Sequence, residues 1–274
     1  MPRNSSHDEW RALQAASSDI FVATDEMYMN FNDRIQDENI PATVCAKYYV
    51  DHTFSLTATT GDKEELKDFV AYFGGILVEL AARTHYRNMA VRTKLVEFVW
   101  ELQKAVIKDP LTGEPLQLYE EQESVIWKDL PGFRLACAEE NISFVPSDPT
   151  NTQREMERWK NMSAFWAHQS SSPSTWHGNA ALGAFYDAFG PFEEHKQIGN
   201  RDFLLQTACI YLIYGMEWIW PRVQAGTEYW ERKKWEWWKR NLKYTQGFDN
   251  EEETKTLIGE ALSVMGKAEE SQRL

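Results

Sequence analysis

The run Phe203-Leu-Leu-Gln-Thr-Ala-Cys-Ile-Tyr-Leu-Ile-Tyr-Gly-Met-Glu-Trp-Ile-Trp220 is apolar nearly all round a helical wheel. A helix with no polar face must be enclosed, either by lipid or by other parts of its own protein. A spanning helix needs about 20 predominantly apolar residues. This run holds Gln206 and Glu217 and ends at Pro221, so it reads as the central buried helix of a folded domain with no transmembrane segment. Neighbours must then wall it on every side, and the rest of the chain has to supply them.

Helical spacing supplies them. A helix capped by Asp62 carries apolar residues at Leu66, Phe69, Val70, Phe73, Leu77 and Leu80, and residues 88–106 repeat the stripe with Val91, Leu95, Phe98, Val99, Leu102 and Val106. Further helices are expected over 26–36, 41–50, 155–168, 179–189, 202–220, 227–242 and 251–265. Residues 122–141 read as two helical pieces broken at Pro131-Gly132. Lys108-Asp-Pro-Leu-Thr-Gly-Glu-Pro115, Ser147–Gln153 and Gln169–Thr175 are loops by composition. No stretch alternates as a strand does, no internal repeat occurs, and no composition shift marks a boundary. The expectation is one all-α domain over residues 1–274: a bundle of about nine or ten helices with an aromatic-rich core and frayed tails at 1–8 and 267–274.

Charge and cysteine content narrow the function classes. A formal net charge of −13 opposes phosphate backbones, so a nucleic-acid partner is not expected. Cys45, Cys137 and Cys209 show no short spacing and read as buried thiols in a reducing compartment. The N-terminus shows no apolar signal region, and the expected location is cytoplasmic.

The common catalytic and cofactor patterns are missing from the sequence. No histidine sits in an H-E-x-x-H helix or three residues after a glutamate, C-x-x-C is absent, and neither phosphate loop nor serine elbow occurs. Asn32-Asp-Arg-Ile-Gln-Asp-Glu38 lacks the paired aspartates of a terpene cyclase and reads as solvated helix charge. No metal or cofactor is therefore expected.

Polar residues among apolar ones remain. Gln206 and Glu217 share one face of the central helix with Ile210 and Ile213. A buried carboxylate must be paired or neutralised, which makes Glu217 the candidate acid, with Gln206 on the same face a candidate ligand contact. The alternative is that Glu217 pairs with Arg222 or reaches solvent. Tyr211 and Tyr214 are candidate ligand contacts or core residues with satisfied hydroxyls. Asp187, between aromatics in Ala-Phe-Tyr-Asp-Ala-Phe, faces either a cavity or solvent. His177, in Trp176-His177-Gly178, either gates a site or belongs to a capping loop. Asn161 and His168 share the side of their helix away from Trp159, Met162 and Trp166, toward solvent or a second contact. Asp129 is expected to bond nearby backbone at the Pro131 turn.

Tyr229-Trp-Glu-Arg-Lys-Lys-Trp-Glu-Trp-Trp-Lys-Arg240 threads Trp230, Trp235, Trp237 and Trp238 through basic residues. On a wheel the tryptophans and Leu242 form one wide arc. Residues 231–243 hold six basic and two acidic residues, a local +4 within an acidic chain. Three readings stand: packing on the protein's own acidic surface, a protein or ligand contact through the Trp230–Trp238 helix, or a membrane surface.

Several segments in order resemble one fungal family of single-domain helical proteins of unknown function. They are Ile40-Pro-Ala-Thr-Val-Cys-Ala46, Arg92-Thr-Lys-Leu-Val-Glu-Phe98, Trp127-Lys-Asp-Leu-Pro-Gly-Phe133, Glu157-Arg-Trp-Lys-Asn-Met-Ser-Ala-Phe-Trp-Ala167 and Ala208-Cys-Ile-Tyr-Leu-Ile-Tyr-Gly-Met-Glu-Trp218, spanning roughly residues 30–225. The resemblance implies an all-helical fold and a fungal origin, and it carries no activity over. Two functions are expected from this. One is a small-molecule-binding protein or cofactor-independent enzyme (isomerase, cyclase or hydrolase) of specialised metabolism. The other is a non-enzymatic helical interaction or scaffold protein. A concave cavity favours the first; a flat exposed tryptophan patch over a filled interior favours the second.

Overall fold

A computed structural model describes residues 16, 18–60, 63–118, 124–170, 178–190, 200–227 and 229–271. The fold is all-α: helical turns at 18–24 are followed by α1 (Glu26–Gln36), α2 (Ala42–Thr60), α3 (Lys63–Arg83), α4 (Met89–Lys104), α5 (Pro131–Ser143), α6 (Gln153–Gln169), α7 (Gly178–Phe189), α8 (Arg201–Ala225), α9 (Arg232–Thr245) and α10 (Glu252–Glu270). Among the described residues there is no strand, only isolated bridges between Lys108 and Pro115 and between Gln117 and Val125. No helix among them is long and apolar enough to cross a membrane. The chain divides into two compact units: residues up to Leu80 with Glu97–Phe133, and Ala81–Val96 with Arg134 onward.

The first unit is built on aromatic packing. Phe31, Tyr49, Phe73 and Phe98 meet with ring centroids 4.4–6.0 Å apart, and Trp127 packs edge-on against Phe69 and Phe73. Such pairs add about 0.5–1.5 kcal/mol each beyond the area they bury. This packing accounts for a departure from the expected helix before Pro131. Residues 126–129 form a turn in which Trp127 and Leu130 adopt φ of 61° and 47°, conformations that disfavour large side chains. Both are buried, so packing holds them there. The Val125 N–H donates to the Asp129 carboxylate at 2.7 Å, the backbone role expected of Asp129. Pro131 does not break a helix but begins one, because the first helical position needs no N–H donor.

Gly132 follows for a steric reason. A Cβ there would lie 2.2 Å from the Val70 carbonyl oxygen, and one on Gly74 would lie 2.4 Å from the Gly132 carbonyl carbon. The two glycines let the backbones of α3 and the start of α5 touch.

The second unit encloses α8, which packs against α6, α7 and α10. Its buried residues include Leu204, Leu205, Ala208, Cys209, Ile210, Tyr211, Leu212, Trp218, Ile219 and Trp220. The helix does not stop at Pro221, as the sequence suggested, but runs on to Ala225. An interior proline costs about 3 kcal/mol. Burying Ile219, Trp220 and Val223 contributes about 1.5–3 kcal/mol per side chain, enough to carry the helix through. Gly226 ends it in the left-handed conformation, with φ of 60°.

A capping box between Thr152 and Glu155 starts α6. Its Asn161 accepts the Tyr86 N–H and donates to the Ala82 carbonyl, each at 2.8 Å, which is the second contact open to this side of the helix. Neighbouring Lys160 is buried and pairs with Glu157 at 2.7 Å and Glu253 at 3.0 Å, while the Tyr86 hydroxyl also donates to Glu253. Burial raises the Glu253 pKa, but the bonds from Tyr86 and Lys160 outweigh it and hold the carboxyl below its ordinary value.

The tryptophan-rich segment packs. Trp235, Trp238 and Leu242 are buried along one side of α9, and Trp230 is buried just before it. The Trp235 indole donates to Glu269 of α10 at 2.8 Å, and Lys239 pairs with the same carboxylate. The helix starts at Arg232, later than expected, because the chain turns at Tyr229, with φ 67°, and the Trp230 N–H donates to the Thr227 carbonyl at 2.8 Å. α10 stays helical to Glu270, and of the tails expected to fray, residues 1–8 and 272–274 lie outside the described residues.

Two predictions follow from these contacts. Gly74→Ala and Gly132→Ala should each destabilise the protein by about 2 kcal/mol or more in urea denaturation, through forced backbone separation. The adjacent Gly75→Ala, whose Cβ meets open space, should instead stabilise by about 0.5–1 kcal/mol. The Glu253 pKa is depressed in the folded state, so its contribution is complete above the ordinary glutamate value of 4.5 and is lost as pH falls through the lower folded value. Melting temperature measured downward from pH 5 should therefore fall, and Lys160→Met should flatten that slope.

Candidate functional site

α7 separates two sets of residues by spacing alone. Ala181, Phe185 and Phe189, four apart, are buried, with Phe185 edge-on to Tyr211 of α8 and close against Trp238 of α9. Asn179, Ala180, Gly183, Ala184 and Asp187 recur on another face and form one wall of a cleft of about 230 Å³. The eight steps from Asn179 to Asp187, about 1.5 Å of rise each, make this wall about 12 Å long.

The remaining walls come from three other segments. Asn141, Phe144 and Pro146 contribute at the end of α5 and beyond it, Trp159 from α6, and Leu204 and Thr207 from α8. Phe144 stacks on Trp159 with centroids 4.8 Å apart and meets Phe203 edge-on at 5.8 Å. Polar bonds fix this rim: Asn151 donates to the Val145 carbonyl at 2.9 Å, Asn200 to the Asp148 carbonyl at 2.8 Å, and Arg158 pairs with Glu140 at 3.2 Å. The Thr207 hydroxyl donates to the Phe203 carbonyl at 3.0 Å, which leaves its oxygen able to accept. The cleft has apolar walls, amides at its edge and Asp187 as the one ionisable group among its described lining residues. Ligand pockets for drug-sized molecules run to about 300–1,000 Å³, so this one suits a compact ligand.

Of the residues singled out from sequence, only Asp187 lines the cleft. Gln206 is buried and donates to Thr254 Oγ1 at 2.9 Å and Glu251 at 3.4 Å, tying α8 to α10. Tyr211 is fully buried, its hydroxyl beside Ser163, and burial pushes its pKa well up. Tyr214 is half-buried beneath the Arg92 guanidinium, 3.8 Å from the ring centroid. Glu217 is exposed, so the burial behind its acid role is not found there. Its wheel face is buried at Gln206 and Ile210, intermediate at Ile213 and open at Glu217, because α8 emerges from its neighbours along that face. His168, half-buried, is held below its ordinary pKa by burial and by the Arg92 charge, while the Glu217 charge acts the other way. His177 lies outside the described residues.

Sequence reasoning missed Phe144, Gly183, Thr207 and the asparagines, and it assigned Trp159 only to the core. The signal present was the Ala180, Gly183, Ala184, Asp187 spacing: small residues on one helical face beside a carboxylate.

No curated protein and no solved structure matches the chain. Residues 75–252 match the model of a family described as protein of unknown function (DUF3632). That match contains four of the five segments on which the resemblance rests, omits Ile40–Ala46, and extends through α9. With most of its length inside the match, the chain belongs to this family of unknown function.

Proposed function

We propose that the protein binds a compact small molecule in the α7 cleft. The observation that carries this reading is the meeting of a small-residue helix face, an aromatic wall and a carboxylate around one concave space. Phe144 and Trp159 offer apolar contact, and the gap left by Ala180, Gly183 and Ala184 sets the thickness of what enters. Asp187 favours a group that donates hydrogen bonds or carries positive charge. Binding alone needs no more than this. An isomerase, cyclase or hydrolase using the same cleft would have Asp187 as its acid or base, since Glu217 does not line it. The resemblance to a fungal family makes specialised metabolism the setting we propose.

The alternative is a helical interaction protein, and one feature favours it. The outward face of α9 exposes Trp237 (45%) and Tyr244 (60%) beside Lys233, Arg240 and Lys243. Against it, Trp237 is the one large exposed tryptophan among the described residues, and its indole already donates to the Phe189 carbonyl at 2.9 Å. The tryptophan surplus goes mainly into packing.

Gly183 gives a clean test, since a Cβ there meets nothing within 4 Å and any residue but proline suits a helix interior better than glycine. Gly183→Leu should fold with unchanged or raised melting temperature while its side chain fills the cleft. A neutral solvatochromic dye titrated against both proteins should bind the wild type saturably and the variant at least about tenfold more weakly, a loss of about 1.4 kcal/mol. Equal binding by the two would place the dye elsewhere and remove the cleft as the site.

A further inference from the structure

Arg92 is the less expected of two buried cations in the second unit. Its side chain is almost wholly enclosed, at 1% exposure. Removing a guanidinium from water costs several kcal/mol unless a well-placed anion offsets it. Lys160 has such partners in Glu157 and Glu253. Arg92 has none: among the described residues no carboxylate pairs with it, and its contacts are a carbonyl, a thioether and a tyrosine, all neutral. Nη1 donates to the Tyr86 carbonyl, Tyr214 lies under the guanidinium plane, and Nη2 points at the Met89 thioether. Nε is buried and has no acceptor.

The geometry of those contacts matters. Nε–H and Nη2–H together form one edge of the guanidinium, the edge that grips a carboxylate or phosphate with two parallel bonds. The Tyr214 hydroxyl is a neutral hydrogen-bond partner of the guanidinium, and the edge itself meets a thioether sulfur, a weak acceptor, in place of a carboxylate. The residue supplying it, Met89, is 47% exposed and unbranched, so the edge is one flexible side chain away from solvent. Glu217 does not substitute for the missing partner: it is exposed and makes no ion pair with Arg92. Burial lowers the Arg92 pKa, as expected of a cation whose surroundings undercompensate it, yet a guanidinium stays charged.

We propose that Arg92 is the centre of an oxyanion site, in which the carboxylate or phosphate group of a small molecule takes the Nε/Nη2 edge and Met89 is its displaceable cover. The half-buried rings of Tyr214 and His168 belong to its surround. A bound oxyanion exchanges one weak thioether contact for two charge-assisted hydrogen bonds. Arg92 and Tyr214 do not line the α7 cleft, so this site stands or falls independently of the function proposed there.

The test uses the full chain labelled with nitrogen-15 and follows arginine Nε–H resonances, with Arg92 assigned through its own backbone. Inorganic phosphate and acetate are titrated separately, replacing chloride at constant ionic strength. The Arg92 resonance should shift saturably with at least one of them: phosphate alone points to a phosphate-bearing ligand, and acetate to a carboxylate. Met89→Ala, which uncovers the edge without touching the cation, should tighten that binding severalfold. No saturable shift with either anion, in wild type and in Met89→Ala, overturns the site. Equal affinity in the two proteins overturns the role of Met89 as cover.

Discussion

The enclosure of α8 is the constraint on which the second unit depends. A helix that is apolar on nearly every side has no stable arrangement in water until neighbours remove most of that surface. α6, α7 and α10 do so. The few polar groups on α8 are absorbed locally: Gln206 bonds α10, Thr207 bonds its own preceding turn, and the Trp218 indole donates to the Ala167 carbonyl at 2.7 Å. The cleft arises from the same enclosure. Where α7 crosses α8, its Ala180, Gly183 and Ala184 leave the cover thin, and Leu204 and Thr207 of α8 form part of the exposed wall. One helix thus supplies a core face through Phe185 and a recess through Gly183.

Two buried cations show how differently the same unit treats charge. Lys160 is surrounded by two carboxylates and the Tyr86 ring, and it links α6 to the start of α10. Arg92 is held by a carbonyl, a ring face and a thioether. The first arrangement serves packing and is complete within the chain. The second lacks a negative charge, and buried charges without one are rare enough to require an explanation.

Much of the fold is legible in the sequence because helical periodicity reports which face is buried. The stripe from Leu66 to Leu80 and the run from Phe203 to Trp220 become α3 and the buried part of α8. What periodicity cannot report is a tertiary override. Trp127, Leu130 and Tyr229 adopt positive φ, which no propensity favours, and α8 continues past Pro221 because the tryptophans and valine around it are buried. Glu217 reaches solvent, the alternative that the sequence leaves open, because a wheel gives direction around a helix but not depth along it. The cleft was the least legible feature: its walls come from residues 141–146, 159, 179–187 and 204–207, and only folding brings them together. Asp187 stood out from sequence by its aromatic neighbours, whereas Phe144 and Thr207 carry no local signal at all.

The central claim is that the concave face of α7 is where this protein meets a small molecule. Amide chemical-shift mapping with a library of compact apolar amines and their neutral counterparts tests it most directly. The account predicts that binders shift Ala180, Gly183, Ala184 and Thr207 together, and that amines outcompete their neutral analogues through Asp187. Shifts gathered on the outer face of α9, or none at any saturating concentration, would contradict it.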